Sequence, residues 1–167
     1  PKDFDAVDHF GDKNQIKFYY VNSNKFDGET KKLKRIKSNS TIYNISEAKI
    51  DTVLNKIIGD TLLPKGINTH LQEGPVSFIE QMNKLLITRN IASIDSDKKY
   101  QLNIYQVNYN PQKSNANLKA DPIFELNSNY SNMHPSFDSE SGWLYFSSDR
   151  PGGYGGMDLY RVRFSEA

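Results

Sequence analysis

The sequence predicts an all-β fold, first from its composition and then from a repeated pattern of short strands. The 167 residues include only six Ala but seventeen Asn and sixteen Ser, so strong helix formers are scarce and turn formers plentiful. Runs rich in Ile, Val, Tyr and Phe recur between polar clusters, at lengths typical of strands. The predicted strands are Ile16–Val21, Leu85–Thr88, Leu102–Tyr109, Trp143–Ser147 and Leu159–Phe164.

One segment, residues 46–58, has the periodicity of a helix. Its apolar positions are Ile50, Val53, Leu54, Ile57 and Ile58, which are spaced as on one helical face and end before Gly59. Ser46 is a candidate N-cap. Because several of these residues are β-branched, a strand is the alternative. We predict a short helix near residues 46–58.

Internal repetition is the strongest pattern in the chain. Ser77-Phe78 aligns with Ser136-Phe137, and seven residues after each Phe comes a strand-like triplet, Leu85–Ile87 or Leu144–Phe146. Polar residues and an arginine follow, and each copy closes on a Tyr-x-Val strand. The copies are 59 residues apart at the front and 55 at the back, so only the hairpin loop differs in length. A fainter upstream copy consists of Phe10, Ile16–Tyr20 and Leu33–Ile36.

A period of 55–60 residues made of short antiparallel strands is typical of β-propeller blades. A single four-stranded sheet leaves both faces uncovered, and packing against sister sheets covers them. The predicted fold is therefore two to three four-stranded blades of a larger propeller. We divide the chain into a poorly matched first blade with a connecting segment (residues 1–66), a second blade (67–110) and a third blade (111–167).

The third copy carries residues that identify a family resemblance. His134–Asp138, Gly142–Arg150 and the run from Pro151 to Tyr160 resemble the WD40-like repeat of TolB-type propellers. The sequence Gly-Gly-Tyr-Gly-Gly before Asp-Leu-Tyr resembles the form found in OmpA-family proteins of Bacteroidota. Asn68-Thr69, Glu73–Phe78 and Thr88–Asn90 are similar to the preceding blade of those proteins. The resemblance covers about residues 67–164.

This resemblance implies a location and an architecture. Such proteins usually combine a helical TPR array, a propeller and an OmpA-like peptidoglycan-binding domain. Relatives are lipoproteins or periplasmic components, and some belong to the type IX secretion and gliding machinery. We therefore expect these residues to be a segment of a longer periplasmic protein associated with the outer membrane or the peptidoglycan.

The resemblance also implies that the repeated residues build the blade. The expected structural set is Pro75, Phe78, Arg89, Tyr105, Pro135, Phe137, Asp149, Arg150, Gly152, Gly153, Gly155, Gly156, Asp158 and Tyr160. Asp149, Arg150 and Asp158 are expected to hydrogen-bond the loop backbone and each other, with a ligand-binding cluster as the alternative. No helix follows the glycines, so a phosphate cradle is a poor fit.

Signals for catalysis and metal binding are weak. The chain has no Cys and no Gly-x-Ser-x-Gly nucleophile motif, and His9 and His70 lack a second ligand at metal-binding spacing. Asp95-Ser96-Asp97 begins like a calcium loop but lacks its Gly and its terminal Glu. We expect no enzyme activity, cofactor or bound metal. His134 is either a channel-lining residue or a hydrogen-bonded strand-end residue.

Net charge limits the partners. With 21 Lys and Arg against 20 Asp and Glu, the chain has a charge of +1, so no global field attracts nucleic acid or an anionic membrane. We expect protein partners of the cell envelope, or the remainder of the same propeller, with neither nucleic-acid binding nor membrane insertion. Two alternatives remain: a propeller accessory to an α/β-hydrolase peptidase, and glycan binding through aromatics such as Trp143 and Tyr154.

Overall fold

The computed structural model describes residues 3–8, 15–24, 42–91, 101–113, 118–127 and 129–165. Within these ranges lie eleven strands and one short 3₁₀ turn, Glu80–Met82. The strands are β1 (Asp3–Asp8), β2 (Gln15–Asn24), β3 (Ile42–Asp51), β4 (Lys56–Leu62), β5 (Glu73–Ile79), β6 (Lys84–Ile91), β7 (Gln101–Asn108), β8 (Ala120–Pro122), β9 (Asn132–Asp138), β10 (Trp143–Ser148) and β11 (Asp158–Arg163).

The strands form three antiparallel sheets, each connected in chain order. The first sheet is β1-β2-β3-β4, the second is β5-β6-β7-β8, and the third is β9-β10-β11. Up-and-down sheets of this kind are propeller blades in form, so the prediction of an all-β fold with propeller blades is confirmed. The boundary drawn at residue 110 stays a prediction, and β8, which pairs with β7, lies beyond it.

The helix predicted near residues 46–58 is wrong. These residues form the end of β3, a turn and the start of β4, and β3 and β4 pair antiparallel. Val53, Leu54 and Ile57 are exposed instead of sharing a buried face, and the turn contains Asn55 at a φ of 49°. Ser46 is buried within β3 rather than capping a helix. No helix in the described ranges is long and apolar enough to cross a membrane.

The strand register reproduces the sequence repeat. Thr88 of β6 lies opposite Ile104 of β7, and Ser147 of β10 lies opposite Leu159 of β11. The first members of these pairs are 59 residues apart and the second members 55, as the predicted difference in loop length requires. In the upstream copy, Ile16–Tyr20 lies in β2, whereas Phe10 and Leu33–Ile36 lie outside the described residues.

The second sheet is buried on both faces because it lies between the other two. Leu85 and Ile87 pack into an apolar cluster with the first sheet, and Leu86 and Ile104 pack into another with the third. Full burial of each such side chain contributes about 1.5–3 kcal/mol. This explains why Leu85, Leu86 and Ile87 of β6 are consecutive buried apolar residues instead of alternating with polar ones. The third sheet offers its other face to solvent, where Leu159 is exposed.

Candidate functional site

The arginine of the second repeat, Arg89, is an internal anchor. Its Nε donates to Glu73 Oε1 at 3.1 Å, and its Nη2 donates to the carbonyls of Gly66 (3.0 Å) and Ile67 (2.7 Å). The guanidinium also lies 5.0 Å from the centre of the Tyr105 ring. Because Arg89 and Glu73 are both buried, this charge pair fixes the connection that enters β5.

Arg150 occupies the corresponding place in the third sheet. Its Nη2 donates to Asn132 Oδ1 at 2.6 Å and to the Leu126 carbonyl at 3.2 Å. Its guanidinium lies 5.2 Å from the Tyr160 ring centre, and the Tyr160 hydroxyl donates to the Arg150 carbonyl at 2.9 Å. Asn132 lies 59 residues after Glu73 in the sequence, so a neutral carboxamide takes the place of the acid that pairs with Arg89. The arrangement is repeated with a neutral partner.

The two aspartates of the motif bind backbone N–H groups. Asp149 Oδ1 accepts from Ser131 N at 2.7 Å, which joins the start of the loop to the segment before β9. Asp158 accepts from Tyr154 N and Gly155 N, both at 3.1 Å. Each motif charge therefore has its own partner, and these carboxylates hold the loop 149–157 in shape.

The glycines of this loop have different reasons to be glycine. Gly152 has a φ of +107°, which side chains rarely adopt. A Cβ on Gly153 would overlap the carboxylate of Asp158. Gly155 donates to that carboxylate, and a Cβ on Gly156 would meet open space.

The proline and phenylalanine positions lie where neighbouring sheets meet. Phe78 is buried between the first and second sheets, and Phe137 packs against the apolar cluster between the second and third. Phe137 N donates to Ser77 Oγ at 3.1 Å, so β9 is hydrogen-bonded to β5 across the sheets. Pro135 is buried, whereas Pro75 lines a cavity.

This cavity, of about 270 Å³, lies at one end of the sheet stack. Its walls are formed by the starts of β3, β5, β7 and β9 and by the ends of β2 and β6. Its lining is largely apolar, and its polar wall residues supply one imidazole, two hydroxyls, one carboxamide and one carboxyl group. The residues are Val21, Tyr43, Gln72, Glu73, Gly74, Pro75, Thr88, Leu102, Met133 and His134.

His134 is the exposed imidazole of the cavity wall. Its φ is +55°, a value uncommon for a residue with a side chain. Its backbone N–H donates to Thr88 Oγ1 at 3.0 Å, which ties this turn of β9 to the second sheet. Backbone strain of this kind is concentrated at functional sites. The strained backbone therefore marks this end of the stack as the candidate site.

Glu73 is the buried carboxyl of the same wall. Its Oε1 accepts from Thr69 Oγ1 at 2.6 Å and from Arg89, whereas Oε2 is buried and has no hydrogen-bond partner among the described residues. Burial raises the pKa of Glu73 above its ordinary value, despite the opposing effects of Thr69 and Arg89.

The two aromatics considered for glycan binding are separated. Trp143 begins β10, and Tyr154 lies in the loop after β10 ends. At about 3.3 Å per residue, the strand alone spans roughly 17 Å. Trp143 is also contacted by the guanidiniums of Arg161 and Arg163, which lie 4.5 and 4.3 Å from its ring centre. The two rings therefore do not form one binding surface.

Sequence reasoning missed the role of two asparagines. Asn68 Oδ1 accepts from Ile45 N at 2.7 Å, and Asn68 Nδ2 donates to Ile45 O at 2.8 Å. Asn127 makes the same two bonds to Ile104, at 3.0 and 2.7 Å. We call this arrangement the asparagine clamp. The 59-residue spacing of the two asparagines, equal to that of Ser77 and Ser136, was the available signal.

Among the described residues, no group of three His, Asp or Glu side chains is placed to hold a metal ion. His70 lies on the surface, whereas His9 and the Asp95–Asp97 segment fall outside the described residues. The cavity combines a wide apolar wall with a few polar groups. This composition suits recognition of an apolar side chain or a short peptide segment.

Comparison with known proteins adds little. No protein-family model matches the chain, and no curated protein matches it. The chain is similar to a solved structure of Penicillium chrysogenum alpha-L-arabinanase complexed with arabinobiose, with 11% sequence identity and a TM-score of 0.47. The match covers 97% of this chain and 42% of the arabinanase chain.

Proposed function

We propose that this chain is a non-enzymatic protein-interaction module. Its sheets form a rigid scaffold, and the cavity near His134 is the recognition surface. The observation that carries the proposal is the internal use of the motif charges. Arg89, Arg150 and Asp158 are all bound to neighbouring groups of the same chain, whereas the cavity near His134 is a concave surface that combines apolar and polar wall residues.

The location of the module follows from the family resemblance. We place it in the periplasm, as part of a protein associated with the outer membrane or the peptidoglycan, with protein partners in the cell envelope. The most specific form of this proposal is that the module belongs to a type IX secretion system. Recognition then depends on shape and apolar contact, in keeping with a net charge of only +1.

The test combines localisation with a matched pair of histidine variants. The tagged protein is expressed in its source organism, the cells are fractionated, and envelope proteins are captured by cross-linking. His134→Asn removes the imidazole at a position where Asn tolerates a positive φ. His70→Asn makes the same change at another exposed histidine.

The expected result is a periplasmic protein that captures an envelope partner. His134→Asn should lower capture by about tenfold, as for the loss of a central contact, while His70→Asn leaves it unchanged. A cytoplasmic location would overturn the proposal. So would turnover of a peptide or an oligosaccharide by the purified protein.

A further inference from the structure

The cavity near His134 has a buried carboxylate oxygen in its wall that lacks a hydrogen-bond donor among the described residues. Glu73 is 1% exposed, and its Oε1 accepts from Thr69 Oγ1 at 2.6 Å, from Thr69 N at 3.2 Å and from Arg89 Nε at 3.1 Å. Its Oε2 is buried and accepts from none of these groups. A buried acceptor without a donor is unfavourable, so a group that donates to Oε2 would stabilise the site.

Two other polar side chains of the wall already have partners within the chain. Thr88 Oγ1 accepts from His134 N at 3.0 Å. Gln72 Oε1 accepts from Tyr43 N at 2.9 Å. What the described wall lacks is therefore a hydrogen-bond donor at Glu73.

The rest of the lining determines what kind of group can carry this donor. Val21, Pro75, Leu102 and Met133 supply apolar surface, and Tyr43 supplies an exposed aromatic ring. The volume of about 270 Å³ is slightly below the roughly 300–1,000 Å³ of pockets that hold drug-sized ligands. The cavity therefore suits a single side chain that has an apolar body and a hydrogen-bond donor at its end.

The charges of the wall favour a neutral donor over a cation. Glu73 is the single acidic residue of the described lining, and it is already paired with Arg89. An ammonium group at Oε2 would add a second positive charge beside Arg89 with no second carboxylate to balance it. A purely apolar group would leave Oε2 without a donor. A neutral hydroxyl avoids both penalties.

We propose that the cavity binds a tyrosine side chain of a protein partner, whose hydroxyl donates to Glu73 Oε2. Tyrosine combines a rigid aromatic body with a neutral donor at its tip, and it is enriched at protein interfaces. Its ring packs against the apolar wall and the Tyr43 ring, since aromatic rings pair favourably. This inference rests on the proposed function, because it names the side chain of the partner that the cavity recognises.

The probes are three blocked amino acids: N-acetyl-tyrosine amide, N-acetyl-phenylalanine amide and N-acetyl-lysine amide. The first two differ only by the hydroxyl, and the third presents a cation at the end of an apolar stem. Each is titrated at neutral pH into the isotope-labelled protein, and backbone amide shifts are followed by NMR. The reporting amides, all in the cavity wall, are those of Gly74, Leu102, Met133 and His134.

Two matched variants identify the acceptor. Glu73→Gln removes the carboxylate, and Glu140→Gln makes the same change at an exposed position outside the cavity lining. The amide spectrum of each variant is first compared with that of the wild type to establish that it is folded. The comparison of the tyrosine and phenylalanine probes uses the wild type, so it tests the inference even if Glu73→Gln does not fold.

The expected result is a saturable shift of the wall amides. The tyrosine probe should bind about tenfold more tightly than the phenylalanine probe, because only the former donates to Glu73. The lysine probe should bind more weakly than the tyrosine probe. Glu73→Gln should lose most of the preference for tyrosine, since a neutral carboxamide is a weaker acceptor than a carboxylate, and Glu140→Gln should retain it.

Any of four results would overturn the inference: no saturable shift of the wall amides with the tyrosine probe, equal binding of the tyrosine and phenylalanine probes, tighter binding of the lysine probe, or a folded Glu73→Gln protein that keeps the full preference. Such a failure leaves the proposed function open, because capture of an envelope partner is measured separately. Conversely, binding of the tyrosine probe by a protein that captures no envelope partner would refute the proposed function alone.

Discussion

Asn127 holds Ile104 by both of its backbone polar groups, and Asn68 holds Ile45 in the same way 59 residues earlier. The carbonyl of each isoleucine also accepts a backbone N–H, from Ile123 or from Leu63. Each asparagine lies on the segment by which the chain leaves a sheet. Its hydrogen bonds attach that segment to the third strand of the same sheet. The asparagine clamp is thus the device by which one repeat is connected to the next.

Replacement of Asn127 by Ala should destabilise the protein by about 1–3 kcal/mol, because the N–H of buried Ile104 is left without a partner. Urea denaturation measures this change. Asn129→Ala, at an exposed position two residues away, should stay within about 0.5 kcal/mol of the wild type. Equal effects of the two substitutions would show that the clamp contributes nothing specific.

Arg89→Met should destabilise the protein by about 3–5 kcal/mol, since it leaves the buried Glu73 carboxylate unpaired. The carbonyls of Gly66 and Ile67 also lose their donor. The matched control is Lys119→Met, which removes the exposed ion pair with Asp121 and should change stability by less than about 1 kcal/mol. Similar losses in the two variants would contradict the role given to Arg89.

The raised pKa of Glu73 sets a pH dependence with a definite sign. Below its ordinary value of 4.5, Glu73 is protonated in both the folded and the unfolded state, and its full contribution to stability is present. As the pH rises from 4.5 through the raised folded pKa, the unfolded state loses its proton before the folded state does, so stability falls and then levels off. Relative to Glu73→Gln, whose side chain stays neutral, the wild type should therefore lose stability as the pH rises from 4.5 through the raised pKa of Glu73.

Urea unfolding of both proteins across this pH range measures the difference. Glu140→Gln, at an exposed position, is the control and should run parallel to the wild type. A wild type that gains stability over Glu73→Gln with rising pH would show that attraction by Arg89 outweighs burial.

Gly153→Ala should disturb the loop 149–157, because the new Cβ would displace the Asp158 carboxylate from Tyr154 N and Gly155 N. The amide resonances of these two residues should shift, and stability should fall by about 1 kcal/mol. Gly156→Ala adds a Cβ in open space and should leave both amides in place. The same shifts in both variants would argue for general loop flexibility.

The sequence predicted the strands whose apolar residues recur at the repeat spacing. Leu85–Thr88, Trp143–Ser147 and Leu159–Phe164 overlap β6, β10 and β11. The repeat carried this information because each sheet presents equivalent positions to its neighbour.

The pattern failed at residues 46–58, where helical spacing arose by chance across a hairpin. Val53 and Leu54 lie in the exposed turn rather than on a buried helical face. The apolar spacing in this segment therefore did not correspond to a buried surface. The asparagine clamp escaped prediction for a different reason. Asn68 and Ile45 are separated by a strand and a connection, and only the folded chain brings them together.

The central claim is that an asparagine clamp binds Ile45 and Ile104, whereas their repeat equivalent, Leu159, has no such partner among the described residues. Amide hydrogen exchange, measured residue by residue, tests it most directly. The account predicts that the Leu159 amide exchanges faster than those of Ile45 and Ile104 by about a hundredfold or more, because only the latter two are bound by an asparagine. Comparable protection of all three amides would contradict it.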